Sequence, residues 1–380
     1  MYLYLFVALF FALYGGIGFY IGLRGAQWLA AVLPRPVPPG PYWAAVALFA
    51  LAFPLARLAG GHLPLWAAEG LARIGAWWLT AIVYLFPALL VADLARLVYR
   101  GMRLLAPGAL PDLHFGKAAG GVLLAAYAIV LLYGTWAART PVVTRYEVTI
   151  PKAAGPYREL NVVLVSDTHL GLIIGRSRLE RLVADVNRLG PDLVLLAGDI
   201  IDDDFRPFRA RGMAGVLRGL NAPLGVYSVL GNHDAGARDL PTFRAAMAEA
   251  GVRLLVDEWV LVDGAFYVVG RNDRSRRPAP LESVLEGVDR SKPILLLDHQ
   301  PDRLDDAVAA GVDLQVSGHT HRGQVWPGRL LTDRIFAVDW GYLRKGGTQF
   351  IVSQGWGTWG PPIRVGSRSE IVQIRIRFAP

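Results

Sequence analysis

The first 138 residues contain four apolar stretches of about 20 residues with little or no charge, and these stretches limit what the chain can fold into. They cover about 2–23, 42–59, 74–92 and 118–137. A hydrocarbon layer about 30 Å thick is crossed by about 20 apolar residues in helical form. Four such stretches in succession are hard to cover with a polar shell, so they predict a bundle of about four transmembrane helices in place of a soluble core.

The details of these stretches support spans over a cleaved leader. Residues 2–23 carry no charge, lack a basic n-region and exceed the usual h-region length, which argues against a signal peptide. The second stretch is the weakest, because it is short and contains Pro54. Trp77 and Trp78 near one end of the third stretch fit an interfacial aromatic belt.

Charge and composition limit the kinds of partner that the chain is expected to bind. The net charge is +8 and the pI is about 9.8, but the Arg residues are spread along the chain and flank apolar segments. We therefore expect attraction to a lipid bilayer, worth roughly 1 kcal/mol per basic residue near the headgroups, and no nucleic acid partner. Basic residues balance at six on each side of the predicted membrane, so the positive-inside rule does not determine which side the C-terminal domain faces. The absence of cysteine excludes thiolate metal sites and a Cys nucleophile.

From about residue 158 the pattern changes to short runs of Val, Leu and Ile separated by amphipathic stretches. Buried strands are predicted at 160–166, 193–197, 225–230, 266–269, 294–297 and 314–316. Helices are predicted at 176–189, 207–220, 241–250 and 301–310, and strand pairs at 252–263 and 348–377. The expected organisation is a transmembrane helical domain over 1–138, a linker over 139–157 and an α/β domain over 158–380 with its sheets sandwiched between helices, an αββα sandwich.

A cluster of polar residues follows each of five predicted strands. The clusters are Ser166-Asp167-Thr168-His169, Gly198-Asp199, Gly231-Asn232-His233-Asp234, Asp298-His299 and Gly318-His319-Thr320-His321. In open α/β sheets the loops beyond the carboxyl ends of the strands form the ligand crevice. We therefore expect the five clusters to converge at one site.

The chemistry of these clusters is that of a metal site. Carboxylate, amide and imidazole donors suit Mn, Fe, Zn, Ni or Co and are poorly suited to copper(I). An isolated Asp-x-His or Gly-Asp also occurs at turns and helix caps, whereas two imidazoles one residue apart, as in His319 and His321, seldom have another explanation. Two metals about 3.5–4 Å apart activate water and clamp the attacking and leaving oxygens of a phosphoryl transfer. The clusters together predict such a two-metal centre.

This series of motifs resembles the calcineurin-like metallophosphoesterases over about residues 158–378. The segments 317–324 and 360–364, followed by Glu370-Ile371, look like the subgroup of transmembrane proteins with a metallophosphoesterase domain. Relatives there include membrane-associated phosphoesterases, some of them linked to cleavage of the pyrophosphate of UDP-2,3-diacylglucosamine in lipid A synthesis. The resemblance implies an integral membrane enzyme, and we expect it in a bacterial inner membrane.

The resemblance also implies roles for individual residues. It implies two divalent metal ions, for which Mn, Fe or Zn are expected. The implied ligands of the first metal are Asp167, His169, His321 and the bridging Asp199. The ligands that complete the second are Asn232, His299 and His319. His233 is implied as the proton donor to the leaving group, with Asp202 as the carboxylate that orients it.

Two arginines are candidates for substrate contact. Arg322 stands where the subgroup has Gly, and its guanidinium either binds a substrate phosphate or points to solvent. Arg364, in the Pro-rich turn near Trp359, either contacts substrate or closes the end of the strands. The basic stretch 271–277 is read either as a solvated surface or as a clamp for lipid headgroups.

The sequence thus predicts a membrane-anchored hydrolase of phosphoesters or pyrophosphates, with an amphiphilic lipid-linked substrate such as UDP-2,3-diacylglucosamine as one option. A general phosphoesterase for non-lipid substrates is the alternative within the same chemistry. A catalytically silent metal-binding module is disfavoured by the complete ligand set. A small transporter is disfavoured because the spans lack buried charges, apart from Asp93 at the end of the third. The oligomeric state is left open.

Overall fold

The computed structural model describes residues 2–105, 116–236 and 240–380. The chain divides into two compact units, Met1–Leu132 and Tyr133–Pro380, which we describe separately.

Four long helices form the first unit, and the last residues of the fourth, 133–139, belong to the second unit. The helices are α1 (Tyr2–Val32), α2 (Pro39–Leu58), α3 (Leu65–Leu105) and α4 (Lys117–Arg139). All four are long and apolar enough to cross a membrane, which confirms the four predicted apolar helices. Helix α3 extends well beyond the predicted 74–92, because its flanks are rich in Leu, Ala and Arg, which favour helix.

Close packing and one ion-pair cluster join helices within the first unit. Gly75 of α3 lies so near Phe53 of α2 that a Cβ atom there would be 2.5 Å from the Phe53 backbone, as in other helix contacts made through small residues. Asp93 of α3 accepts a hydrogen bond from Tyr20 at 2.5 Å and forms an ion pair with Arg24 of α1. The one acidic residue predicted near a span is therefore paired with a basic residue.

The second unit contains twelve strands and eight further helices in its described residues. The strands are β1 (Val142–Ile150), β2 (Glu159–Val165), β3 (Leu193–Leu196), β4 (Val226–Ser228), β5 (Val252–Leu254), β6 (Glu258–Val262), β7 (Phe266–Gly270), β8 (Ile294–Leu297), β9 (Leu314–Ser317), β10 (Gly341–Lys345), β11 (Thr348–Val352) and β12 (Glu370–Phe378). The helices are α5 (Arg176–Arg188), α6 (Arg206–Ala210), α7 (Met213–Leu217), α8 (Asn232–Gly236), α9 (Leu240–Glu249), α10 (Leu281–Val284), α11 (Leu304–Ala309) and α12 (Arg329–Ile335).

Two six-stranded sheets pack face to face between helical layers. Their strand orders are β1-β12-β2-β3-β4-β5 and β10-β11-β9-β8-β7-β6. Side chains alternate along each strand, so Leu164 of β2 packs against the second sheet while Val163 packs against helices such as α5 and α9. Helices α10 and α11 cover the outer face of the second sheet. The predicted αββα sandwich is confirmed.

The structure differs from the sequence prediction in the connection between the two parts. Residues 139–157, predicted as a linker, contain strand β1, which pairs in parallel with β12 along its whole length. Only Val148 and Ile150 of this edge strand are buried, while residues such as Glu147 face solvent, so its apolar pattern is too short to be recognised. The two predicted strand pairs are also wrong. The strands exist, but β5 and β6 belong to different sheets, and so do β11 and β12.

Candidate metal centre

The predicted ligand clusters meet at one end of the two sheets. Strands β2, β3 and β4 run parallel in the first sheet, and β8 and β9 run parallel in the second. Their carboxyl ends therefore lie at a common edge, as expected for parallel strands. Backbone hydrogen bonds join the loops that follow them: the amide of Asp167 donates to Gly198 at 3.0 Å, and that of Gly318 donates to His299 at 3.0 Å.

The first ligand group contains Asp167, His169 and His321, whose donor atoms lie within 4.8 Å of one another. Nε2 of His169 is 3.0 Å from Nε2 of His321, and the latter is 3.5 Å from an oxygen of Asp167. Burial lowers the pKa of His169 to about 3, and burial together with the charge of Arg364 lowers the pKa of His321 well below its usual value. Two neutral imidazoles thus face a buried carboxylate. The neutral imidazole is the form in which His binds metal.

The second ligand group contains Asp199, His299 and His319, also within 4.8 Å. Nδ1 of His299 lies 2.7 Å from the carbonyl of Ala197 and must donate to it, because a carbonyl oxygen only accepts. This bond directs Nε2 of His299 toward Asp199, 3.2 Å away, and toward the amide oxygen of Asn232, 3.3 Å away. Such a hydrogen bond on the far nitrogen is typical of metal-binding His residues.

Asp199 also lies in a group with His169, its carboxylate oxygen being 3.9 Å from Nε2 of that residue. Burial raises the pKa of Asp199, but the nearby charge of His299 outweighs it and holds the pKa well below its usual range. Asp199 is therefore an ionised, buried carboxylate that stands between the two ligand groups. This is the position that the sequence predicts for a bridging ligand.

Five of the predicted ligands have left-handed backbone. Their φ angles are 55° at Asp167, 45° at His169, 52° at Asp199, 71° at His319 and 48° at His321. This conformation is rare for residues other than Gly and costs of order 1–3 kcal/mol at each position. Bonds from neighbouring loops hold it, such as that from the His319 amide to the Asp167 carboxylate at 3.0 Å. Strain of this kind concentrates at functional sites.

The donor set fits divalent metal ions. Carboxylate oxygens, an amide oxygen and neutral imidazoles are the donors that Mn, Fe and Zn accept in proteins. Nδ1 of His169 is buried without a hydrogen-bond partner in the described residues, so its ring is held by packing and by the groups around Nε2. Gly231 and Gly318 press against the Asp199 and Asp167 carboxylates so closely that a Cβ atom at either position would collide with them. The two carboxylates therefore have little freedom to move.

His233 lies beside the ligand groups, and the structure changes its predicted partner. Nδ1 of His233 is 2.7 Å from a carboxylate oxygen of Asp203 and 3.8 Å from one of Asp202. The carboxylate nearest the ring is therefore Asp203, which the sequence analysis missed, and not the predicted Asp202. Burial lowers the pKa of His233, but the hydrogen bond to Asp203 and the charge of Asp199 outweigh it and raise the pKa to about 9. His233 is thus protonated near neutral pH.

Asp234 joins the loops that carry these residues. Its carboxylate accepts hydrogen bonds from the amides of Gly231 at 3.0 Å, Ile200 at 3.1 Å and Ile201 at 2.9 Å. It is fully buried and so fixes the loop after β3 to the start of α8.

Arg364, for which the sequence offers substrate contact or closure of the strand ends, is fully buried. Its guanidinium donates to the carbonyls of Gly357 at 2.7 Å, Gly355 at 3.0 Å and His321 at 3.3 Å, and lies 3.2 Å from Nδ1 of His321. Its backbone amide donates to Gly134 in the last turns of α4. Arg364 therefore positions the His321 ring. Its place among the strand ends agrees with the alternative interpretation, in which it closes the end of the strands.

We expect Arg364→Met to weaken metal binding at the first ligand group by about 10–100-fold, the effect typical of losing a partner that orients a ligand. Met fills similar volume but leaves the three carbonyls without their donor. Metal content after dialysis against buffers of increasing chelator concentration measures the change. Arg368→Met is the matched control, because Arg368 lies in the same loop over Trp136 and outside the ligand groups. Equal metal retention in the two variants would contradict the role.

The other predicted basic contacts are engaged within the protein. The guanidinium of Arg322 lies 3.9 Å from the ring centroid of Trp340. In the stretch 271–277, Arg271 is buried and pairs with Asp306 at 2.8 Å, and Arg274 pairs with Asp302. The structure therefore does not support the interpretation of that stretch as a headgroup clamp.

Aromatic side chains line the opening beside the ligands. The ring of Trp359 is 5.9 Å from that of His233, and the ring of Phe336 is 6.0 Å from that of His319. Trp359 is 46% exposed. The ligand groups thus open onto an apolar edge.

The sequence is similar to those of known metallophosphoesterases. Residues 160–323 match the family model of the calcineurin-like phosphoesterases. Proteins described as transmembrane protein with metallophosphoesterase domain are similar to the chain: that of Danio rerio is 32% identical over 269 residues, and that of Bos taurus 33% over 266. These matches cover 66% and 64% of this chain but only 61% and 59% of the relatives' own lengths.

A metallophosphoesterase of Aquifex aeolicus is matched over most of its length. It is 32% identical over 229 residues, which are 58% of this chain and 85% of the relative. The family model spans the strands and loops that carry the two ligand groups, from Asp167 to His321. The chain therefore belongs to the calcineurin-like metallophosphoesterase family.

Proposed function

We propose that this protein is a membrane-anchored, metal-dependent hydrolase of phosphoester or pyrophosphate bonds. The observation that carries the proposal is the convergence of two buried ligand groups around the ionised Asp199, with a protonated His233 at their edge. Two bound divalent cations would supply Lewis-acid chemistry to a phosphoryl group and acidify water. The four apolar helices of the same chain supply the anchor.

The residues of the chain have distinct roles in this proposal. Asp167, His169, His321 and Asp199 form the first metal site. Asp199, Asn232, His299 and His319 form the second. His233 carries the proton that the leaving group needs, since its ring lies at the opening of the site and Asp203 holds its Nδ1. Its Nε2 is then the atom that faces the departing oxygen.

We further propose that the substrate is amphiphilic, a phosphoester or pyrophosphate linked to a lipid, with UDP-2,3-diacylglucosamine as a candidate in a bacterial inner membrane. Two observations support this proposal. The same chain carries four helices long and apolar enough to cross a membrane, and Trp359 and Phe336 lie beside His233 and His319 as apolar groups able to contact acyl chains.

The test compares substrates on the purified full-length protein loaded with Mn²⁺. We expect hydrolysis of bis(p-nitrophenyl) phosphate, and a higher kcat/KM for UDP-2,3-diacylglucosamine than for UDP-glucose. Equal kcat/KM for the two nucleotides would favour a general phosphoesterase. Absence of hydrolysis of every phosphoester by a protein containing two equivalents of metal would overturn the enzyme assignment.

The carboxylate that orients His233 can be identified by a pair of variants. Asp203→Asn is expected to lower kcat by about 10–100-fold, and Asp202→Asn by less, because Asp203 is the nearer by 1.1 Å (3.8 Å against 2.7 Å). Hydrolysis of an alkyl phosphodiester, whose leaving group needs a proton, measures the effect. A larger loss in Asp202→Asn would mean that the ring turns to the partner implied by the family motif.

A further inference from the structure

Exposed apolar side chains of the second unit lie in segments that contact the metal centre and one another. The ring of Phe336, which follows α12, meets that of His319, and Gln324, two residues before Trp326, is hydrogen-bonded to the backbone of Trp359. We call this group the apolar rim: Trp326, Leu330, Leu331, Ile335 and Trp359, which are 46–63% exposed. In the described part of residues 140–380, the other large apolar side chains with comparable exposure are Leu261 and Tyr342. A soluble surface normally scatters such residues, so a cluster indicates a binding surface.

Helix α12, which carries three of these residues, lies on the surface in an unusual way. A helix on a folded domain ordinarily buries one apolar face, yet none of the residues of α12 is buried. Its apolar residues Leu330, Leu331 and Ile335 all point to solvent. Thr332 fixes the helix by a hydrogen bond to Asp339 at 2.8 Å. The apolar face of α12 is therefore held outward by the fold.

The apolar rim is linked to the end of a membrane helix by direct contacts within the second unit. The amide of Trp326 donates to the carbonyl of Val365 at 2.8 Å. The amide of Arg364, which comes directly before Val365, donates to the carbonyl of Gly134 in α4 at 2.9 Å. Gly134 packs so closely that a Cβ atom there would be 2.9 Å from Ile363. The rim thus adjoins the last turns of a helix that is long and apolar enough to cross a membrane.

Those last turns of α4 carry aromatic residues of the kind found at membrane surfaces. Tyr133 and Trp136 are 47% and 50% exposed. Tyr and Trp are enriched where spans leave the hydrocarbon, because their rings are apolar at one end and polar at the other. The same turns of α4 contact the loop of Ile363, Arg364 and Val365, to which the backbone of Trp326 is bonded.

Charge around the rim is of the sign that a phospholipid surface attracts. Arg334 of α12 is exposed, and its guanidinium donates to the carbonyl of Leu330, which carries no charge. Arg329 pairs with Asp333 of the same helix at 3.2 Å. An apolar face bordered by Arg is the pattern of elements that lie in a membrane interface.

We propose that the apolar rim inserts into the lipid surface of the bilayer that the chain's own helices cross. Interfacial helices of this kind bury their apolar face about 5–10 Å deep, at the boundary of headgroups and acyl chains. Since Trp359 adjoins His233, insertion places the opening of the metal centre at the lipid surface. The inference rests on the spans and on the exposed residues, and it holds whichever phosphoester the enzyme hydrolyses.

The natural chain has no cysteine, so single labels can be introduced without removing any residue. Leu331→Cys and Ile335→Cys, each labelled with bimane, are reconstituted as full-length protein in vesicles of phosphatidylcholine and phosphatidylglycerol. Part of the phosphatidylcholine carries a nitroxide near the top of its acyl chain. Leu261→Cys is the matched control, because it is an exposed Leu on β6, at the opposite edge of the sheet from β10.

We expect the lipid nitroxide to quench the labels at 331 and 335 several-fold more than the label at 261. Two positions are labelled so that the test can still be read if one of the two variants fails to fold. Equal quenching at all three positions would overturn the proposal. The proposal would also be overturned if the rim labels were shielded from the nitroxide and became quenched only on dilution in excess lipid. A second copy of the chain would then be what covers the apolar rim. Hydrolysis plays no part in the readout, so this test can fail while the proposed function stands, and the reverse.

Discussion

Asp199→Asn is expected to reduce hydrolysis of bis(p-nitrophenyl) phosphate to the level of the metal-free protein, a loss greater than the roughly 10–100-fold caused by removing an outer partner of a ligand. Asp199 is 2% exposed and lies 3.2 Å from His299 and 3.9 Å from His169, so it belongs to both ligand groups. Removing its charge weakens both metal sites together. Elemental analysis of the purified variant should show well under two equivalents of metal.

The substitution is chosen to preserve the fold. Asn has nearly the size of Asp and keeps an oxygen that can accept from the amide of His233, a bond of 2.8 Å in the structure. Asp185→Asn is the control, because Asp185 pairs with Arg188 on the surface of α5, where an ion pair is worth about 0–1 kcal/mol. Full metal content and full activity in Asp199→Asn would contradict both the bridging role and the proposed function.

The location of the site could be predicted from the sequence because it depends on a simple rule. Each apolar strand is followed at once by polar residues, and parallel strands end at one edge of a sheet. The structure brings Asp167, Asp199 and His299 together at that edge, as this rule predicts.

The partner of His233 could not be predicted by the same means. Beyond β3 the chain has left-handed backbone at Asp199 and again at Asp203, with φ of 52° and 49°. Such residues break the two-residue alternation of side chains that holds within a strand. Which of two adjacent carboxylates meets the ring therefore depends on backbone geometry that residue identities do not reveal.

The burial of Arg364 and the exposure of the apolar rim could not be predicted, for a related reason. An Arg in a Pro-rich turn is usually exposed, but Arg364 is enclosed by the carbonyls of Gly355 and Gly357 in its own loop and by that of His321, 43 residues earlier in the chain. The apolar residues of α12 have the composition of a buried helix, and their exposure follows from the absence of any packed layer above them in the described second unit. Burial of this kind is a property of tertiary structure.

His233→Asn is expected to lower kcat for an alkyl phosphodiester by about 10²–10⁴-fold, the usual contribution of a positioned proton donor. The imidazole is held by Asp203 at 2.7 Å, and the balance of burial against the charges of Asp203 and Asp199 raises its pKa to about 9, so it carries a proton near neutral pH. Asn cannot supply that proton. Metal content should remain at two equivalents, since His233 is not among the proposed ligands.

The leaving group separates this role from a structural one. p-Nitrophenolate departs without much help from an acid, so the loss with bis(p-nitrophenyl) phosphate should be much smaller than the loss with the alkyl ester. A general disturbance of the site would lower both rates alike. Equal losses for the two substrates, together with loss of metal, would show that His233 binds metal with His169 and Asp199. Another residue near the ligand groups would then have to be the proton donor.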